Sequence, residues 1–171
     1  MNEAWNNEVK VNFTTVTVPI LYTPNNGVKI FLAGSIDPDN DNHWRNLIQK
    51  YIKGYWFDAE DNNDSITIYS PRRDEDWSDD FETEQATWDV AMMKSADYII
   101  MHLTGESVSP VSLLELGLFL SNDKMFVTID DDYVRKHIAD LHVSCYGYNT
   151  ISKSLYHTVE RIKNNWNNRT R

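Results

Sequence analysis

Glu115 is the first residue of this chain whose setting points to chemistry. It lies in Ser112-Leu113-Leu114-Glu115-Leu116-Gly117-Leu118-Phe119-Leu120, where nearly every neighbour is apolar. A carboxylate in such company is costly unless it meets a partner or borders a pocket. A first-turn glutamate also gains from a helix N-terminus, so the pattern equally fits a solvent-facing residue that complements the dipole. Asp89 is the second. In Glu84-Gln85-Ala86-Thr87-Trp88-Asp89-Val90-Ala91-Met92 it stands four residues after Gln85, on one helix face, with Trp88 and Met92 on the adjacent face. A carboxyl beside an aromatic surface suits a general acid with a raised pKa. A surface helix with an amide–carboxylate pair has the same spacing, and the pattern alone favours it.

Other candidates are weaker. Arg72 and Arg73 follow a strand and a proline in Tyr69-Ser70-Pro71-Arg72-Arg73. Tandem arginines can orient an anionic or carbonyl group of a ligand, or pair with Asp74, Glu75 and Asp76 directly after them. Gly34-Ser35 allows close backbone approach and adds a hydroxyl donor. One glycine is neither the three-glycine dinucleotide fingerprint nor a Walker loop with its lysine. His43, His102, His137, His142 and His157 show no metal-ligand spacing, and His102, inside a strand, reads as a core or rim residue. Cys145 has no context marking a nucleophile, and a single cysteine allows neither an internal disulfide nor a thiolate zinc cluster. No metal and no cofactor are expected.

These residues need a scaffold, and the hydrophobic pattern supplies one. Val28 to Ala33 is an apolar run ended by Gly34, the signature of a strand buried on both faces. Trp44, Leu47, Ile48, Tyr51 and Ile52 recur at helical spacing and predict a helix over about 42–53, after the loop chemistry of Asp37 to Asn42. Ile66 to Tyr69 is a second strand, followed by a helix over 81–94, a strand over 97–103 and a helix that Ser112 would cap, reaching Leu120. Lys124 to Ile129 is a fourth strand. Asp131-Asp132 would start another helix, a weak strand lies near Val143, and Ser152 to Trp166 forms the last helix. Strand–helix alternation of this kind predicts a doubly wound α/β fold: a mostly parallel sheet with helices on both faces. Ligands of such sheets bind beyond the carboxyl ends of the strands. Here those ends are Gly34-Ser35-Ile36, Ser70 to Arg73, and Thr104 to Glu115. Residues 1–27 read as an appendage to a single domain over 28–171, with Val9 to Leu21 pairing as an extra edge strand.

Composition narrows the classes. The chain has 171 residues, 41% hydrophobic and 25% charged, an ordinary globular balance. Its 16 basic and 26 acidic residues give a net charge of −10, which argues against a binder of duplex nucleic acid. No apolar run approaches the roughly 20 residues needed to span a bilayer, and the start lacks the basic-then-apolar order of a signal peptide. A soluble intracellular protein is expected.

Taken together, five segments resemble the nucleoside 2-deoxyribosyltransferase family, in its phage and bacterial deoxyribosyltransferase-like branch. They are Ile30 to Ile36 with Trp44; Ser70 to Arg73 with Trp77; Glu84-Gln85 with Trp88-Asp89; Ala96-Asp97; and Ser109-Pro110-Val111-Ser112-Leu113-Leu114-Glu115-Leu116-Gly117. The resemblance implies a flavodoxin-like fold and a cytoplasmic enzyme of a bacterium or phage-infected cell. Family members exchange the base of a 2'-deoxynucleoside for a free nucleobase, or hydrolyse the glycosidic bond of a deoxynucleotide. By resemblance Glu115 is the nucleophile and Asp89 handles the proton on the base. Gly34, Ser35, Arg72, Arg73, Gln85, Trp88, Ser109 and Ser112 would bind substrate, the last two in the loop that contacts the sugar. That loop lacks the acidic residues of the well-studied transferases, and their first-strand tyrosine aligns near Ile30, so sugar recognition is built differently. A homo-oligomer is implied as well, with Asp140 to Asn149, including Tyr146 and Tyr148, as the segment lent to a neighbour. Three readings stay open on the sequence: a deoxyribosyltransferase, a 2'-deoxynucleoside 5'-monophosphate N-glycosidase, and a non-catalytic nucleotide-binding module.

Overall fold

Residues 28–34 are apolar on both sides, and Val28–Gly34 becomes β2, the central strand of a five-stranded parallel sheet. The computed structural model describes residues 13–24, 26–35, 43–57, 65–73, 81–105, 107–146 and 151–169. In chain order the elements are β1 (Phe13–Thr17), β2, α1 (His43–Phe57), β3 (Ile66–Ser70), α2 (Glu82–Ser95), β4 (Tyr98–Leu103), α3 (Pro110–Phe119), β5 (Met125–Ile129), α4 (Lys136–Cys145) and α5 (Leu155–Arg169). The sheet order is β1-β3-β2-β4-β5, every neighbour parallel, which is the flavodoxin-like arrangement. No helix among the described residues is long and apolar enough to cross a membrane.

Alternate residues of β2 feed two cores. Ile30 and Leu32 pack with Ile48 and Ile52 of α1 and with Val159 and Ile162 of α5. Phe31 and Ala33 pack on the other face with Trp88, Met92 and Met93 of α2 and Leu116 of α3. The chain leaves β2 outward through α1 to β3, then returns across it through α2 to β4. Successive right-handed crossovers in opposite directions put their helices on opposite faces. A crevice therefore opens between the carboxyl ends of β2 and β4, the switch point where such folds bind ligands.

The structure corrects three expectations. Val143 lies in no strand: it is a buried residue of α4, one turn after buried Ala139, and that four-residue spacing is helical. Ser112 does not cap α3, which starts at Pro110 after Ser109. Proline's fixed φ and missing N–H suit the first helical turn, so Ser112 falls inside the helix and Glu115 one turn deeper. Asp131-Asp132 form a turn, and α4 begins at Lys136. At the other end, β1 pairs in register with β3 as an edge strand, from Phe13 opposite Ile66 to Thr17 opposite Ser70. Ile36, the loop over 37–42, the acidic run over 74–80 with Trp77, and Tyr148 lie outside the described residues.

Candidate active site

The end of β2 is built for close approach. Gly34 has φ 128, and a Cβ there would stand 2.0 Å from the carbonyl oxygen of His102, so no other residue fits. Ser35 follows, almost fully buried, its N–H donating to the His102 carbonyl at 2.9 Å. Its hydroxyl accepts from the Thr104 N–H at 3.0 Å and pairs with the Ser109 hydroxyl at 2.7 Å. Ser109 pairs in turn with Ser107, also at 2.7 Å. Two bonds among three hydroxyls use two hydrogens, so one hydroxyl hydrogen of this relay stays available to meet a ligand oxygen. Ser109 holds φ 43, a left-handed conformation uncommon outside glycine and worth noting beside a binding crevice.

Asp89 and Glu115 stand on neighbouring helices of one face. Asp89 is 8% exposed, and its Oδ1 accepts a hydrogen bond from Gln85 Nε2 at 2.9 Å. That amide also donates to the Pro71 carbonyl at 3.2 Å, while Gln85 Oε1 accepts from Arg73 Nε at 3.2 Å. Arg73 is anchored by an ion pair with Glu84 and by the Phe81 ring, 4.5 Å below its guanidinium. Arg73 thus braces the amide that positions Asp89. Glu115 is 9% exposed on α3, with buried Ser112 three residues before it and hence on its side of the helix.

Burial pushes the Asp89 carboxyl up to about 6, partly offset by the Gln85 hydrogen bond and by Arg45 and Arg73. Burial and the nearby charge of Asp89 push Glu115 up to about 7, with Arg45 opposing. Both carboxyls are thus held above the usual carboxylate range, Glu115 above Asp89, which suits a pair that must share and pass a proton.

Raised carboxyls weaken the fold once ionised. Such a group contributes its stability below the unfolded value and loses it as pH rises through the folded one, here from 4.5 to about 7 for Glu115. Thermal melts of Glu115→Gln should therefore match wild type near pH 4 and exceed it at pH 8, by up to ~3 kcal/mol. Equal differences between variant and wild type at both pH values would count against a Glu115 whose burial outweighs its compensation.

Arg45 escaped the sequence reading. It sits on α1, 2% exposed, stacked 4.2 Å above the Trp44 ring, and it reaches back to the end of β2. Its position three residues before Ile48 and seven before Ile52 puts it on the buried stripe of α1, and that was the available signal. Arg72 is exposed, and its charge is felt at Arg45. Trp88 belongs to the core: it packs with Phe31 and Tyr69, and its indole N–H donates to the Ile20 carbonyl at 2.8 Å. His102 is buried against Asp130, with Nε2 and Oδ1 2.9 Å apart. A cavity of about 580 Å³ opens there on the α1–α5 face, lined by Trp44, Tyr51, His102 and Tyr156, and it meets the crevice at Ser35. Neither Glu115 nor Asp89 lines it.

Comparison with known proteins bears on this constellation. A family model described as "Nucleoside 2-deoxyribosyltransferase like" matches residues 27–133, a span that holds every site residue named from the sequence. A crystal structure of a conserved protein from Enterococcus faecalis V583 is similar at 16% identity and a TM-score of 0.58, covering 81% of this chain and 99% of that one. At that identity the likeness supports the fold alone. Among curated proteins there is no match.

Proposed function

The chain belongs to the nucleoside 2-deoxyribosyltransferase-like family, and on that premise we propose that it exchanges the base of a 2'-deoxynucleoside through a covalent deoxyribosyl–Glu115 intermediate. The supporting observation is the pair of buried carboxyls on α2 and α3, each raised above the usual carboxylate range by burial and Glu115 also by the charge of Asp89. A Glu115 carboxylate oxygen attacks C1', the C1'–N bond breaks, and its electron pair leaves on the base nitrogen. Asp89 gives that nitrogen a proton. In the second half an incoming base attacks C1' from the vacated side, yields its proton to Asp89, and releases Glu115 as carboxylate. Two displacements give overall retention. The proton favours Glu115, because Asp89 receives the Gln85 hydrogen bond and is acted on by two arginines.

A second reading, hydrolysis of a 2'-deoxynucleoside 5'-monophosphate, draws on the Ser35–Ser109–Ser107 relay and the exposed Arg72, which suit a phosphate oxygen. The net charge of −10 opposes an anionic substrate at long range and favours the nucleoside. Incubation with a deoxynucleoside and with its 5'-monophosphate, each with and without an acceptor base, separates the two. Base exchange on the nucleoside supports the transferase. Base release from the monophosphate without acceptor supports the hydrolase, and neither product points to a binding module.

The same reading includes assembly with a second copy. Val111, Leu114 and Leu118 of α3 and Ile138, Leu141 and Tyr146 on or beside α4 are exposed, and an apolar groove runs between the two helices. No exposed residue of α3 is charged, so copies carrying −10 each can meet there with least repulsion. Glu115 lies on the inner side of that helix. Light scattering should give a dimer or larger, reduced to monomer by Leu118→Asp; a monomeric wild type would overturn the assembly.

A further inference from the structure

Arg45 is the one fully buried cation beside the reacting carboxyls among the described residues, and the proposed chemistry has so far given it no part. Its Nη1 donates to the Ser35 carbonyl at 2.9 Å, and its Nη2 to the Gly34 carbonyl at 3.1 Å and more weakly to that of Leu32 at 3.5 Å. Trp44 Nε1 donates to the same Ser35 oxygen at 3.1 Å. The carbonyl end of a parallel strand is therefore gripped from α1, and that grip fixes the residue whose hydroxyl anchors the serine relay. A guanidinium buried this deeply is tolerated only when hydrogen bonds and opposite charge compensate its lost hydration. The carbonyls supply the first, and Glu115 and Asp89 supply the second.

We propose that Arg45 is the positioning residue of this site: one guanidinium both clamps the end of β2 and serves as the buried counter-charge for Glu115 and Asp89. The proposal rests on reading those two carboxyls as the reacting pair. Arg45 stays protonated at neutral pH, although burial lowers it to about 9. Several charged and polar groups act on this cluster. Glu115 faces Asp89 and Arg45; Asp89 faces Gln85, Arg45 and Arg73; Arg45 is opposed by Arg72 and acts in turn on buried His102. Without Arg45 both carboxyls would hold protons to higher pH, and the state with one free carboxylate would be scarce at neutrality. The clamp and the charge together explain why a cation occupies a stripe otherwise filled by Ile48 and Ile52.

The test reads the carboxyls directly, without substrate. Full-length protein labelled with side-chain carboxyl ¹³C in Glu and Asp is titrated by NMR, with Glu115→Gln and Asp89→Asn assigning the two signals. Arg45→Gln removes the charge but keeps an amide donor for the carbonyls, and should move both titrations upward by about one pH unit or more. Arg45→Lys, which restores a charge, should bring them back toward wild type. Unmoved titrations in Arg45→Gln, or a lysine variant shifted as far as the glutamine one, would overturn the proposal. Should Arg45→Gln fail to fold, it is combined with Glu115→Gln, removing both charges together. Asp89 must then titrate higher than in Glu115→Gln alone, and an unchanged Asp89 overturns the proposal. Absence of base exchange in the wild type would sink the reading of the reaction while leaving these titrations to stand.

Discussion

Glu115→Gln should abolish base exchange, lowering turnover by a factor on the order of 10⁴ or more, as expected for loss of a covalent nucleophile. Glutamine has nearly the shape of glutamate and cannot carry the negative charge that attacks C1'. It also removes the buried charge that weakens the fold at high pH, so the inactive variant should be at least as stable as wild type. Loss of activity with gain of stability is the signature of a group held for chemistry. Glu115→Ala should be equally inactive but less stable, since it removes side-chain volume from a buried position. Mass spectrometry of wild type mixed with a deoxynucleoside should find a deoxyribosyl adduct on the peptide that contains Glu115. Near-native turnover in either variant would remove the nucleophile.

Much of this arrangement was legible in the residues, and the reasons are physical. A strand in a parallel sheet is covered on both faces, so β2 and β4 appear as runs that are apolar except at Lys29 and His102. Glu115 and Asp89 stood out because a carboxylate among leucines or beside a tryptophan contradicts its surroundings. The helix over 136–145 was obscured by Val143, whose β-branched side chain reads as strand when its four-residue spacing from Ala139 is overlooked. At α3 two start signals compete, a serine at 112 and a proline at 110, and the proline wins because its ring presets the first turn.

What stayed hidden depends on contacts between distant segments. The hydroxyls of Ser35 and Ser109 meet across 74 residues of sequence, and only the adjacency of the ends of β2 and β4 makes that contact. Arg73 was expected either at a ligand or against the acidic residues after it. It holds Glu84 and Gln85 on α2, which the sequence places eleven and twelve residues away, while the acidic residues after it lie outside the described ones. Residue type argues against burial of Arg45, since arginines are seldom buried. The hydrogen bonds that compensate it come from three backbone carbonyls, and backbone carbonyls leave no mark in a residue pattern.

Asp89→Asn gives the second large effect, and it separates proton transfer from binding. An asparagine accepts no proton and has none of the right acidity to give, so departure of a natural base should slow by a factor on the order of 10²–10⁴. A substrate whose base leaves readily without protonation should lose far less. The geometry makes this a clean comparison. The substituted side chain can still accept the Gln85 hydrogen bond through its amide oxygen, so the Arg73–Gln85 brace need not move. The pH profile should shift as well. In wild type the charge on Asp89 is one cause of the raised Glu115 value, and a neutral asparagine removes that cause. The residual activity should therefore keep its rising limb, set by ionisation of Glu115, but at lower pH than in wild type. Equal slowing on both kinds of substrate would make Asp89 a binding residue, and an unmoved rising limb would mean that Asp89 and Glu115 do not act as one pair.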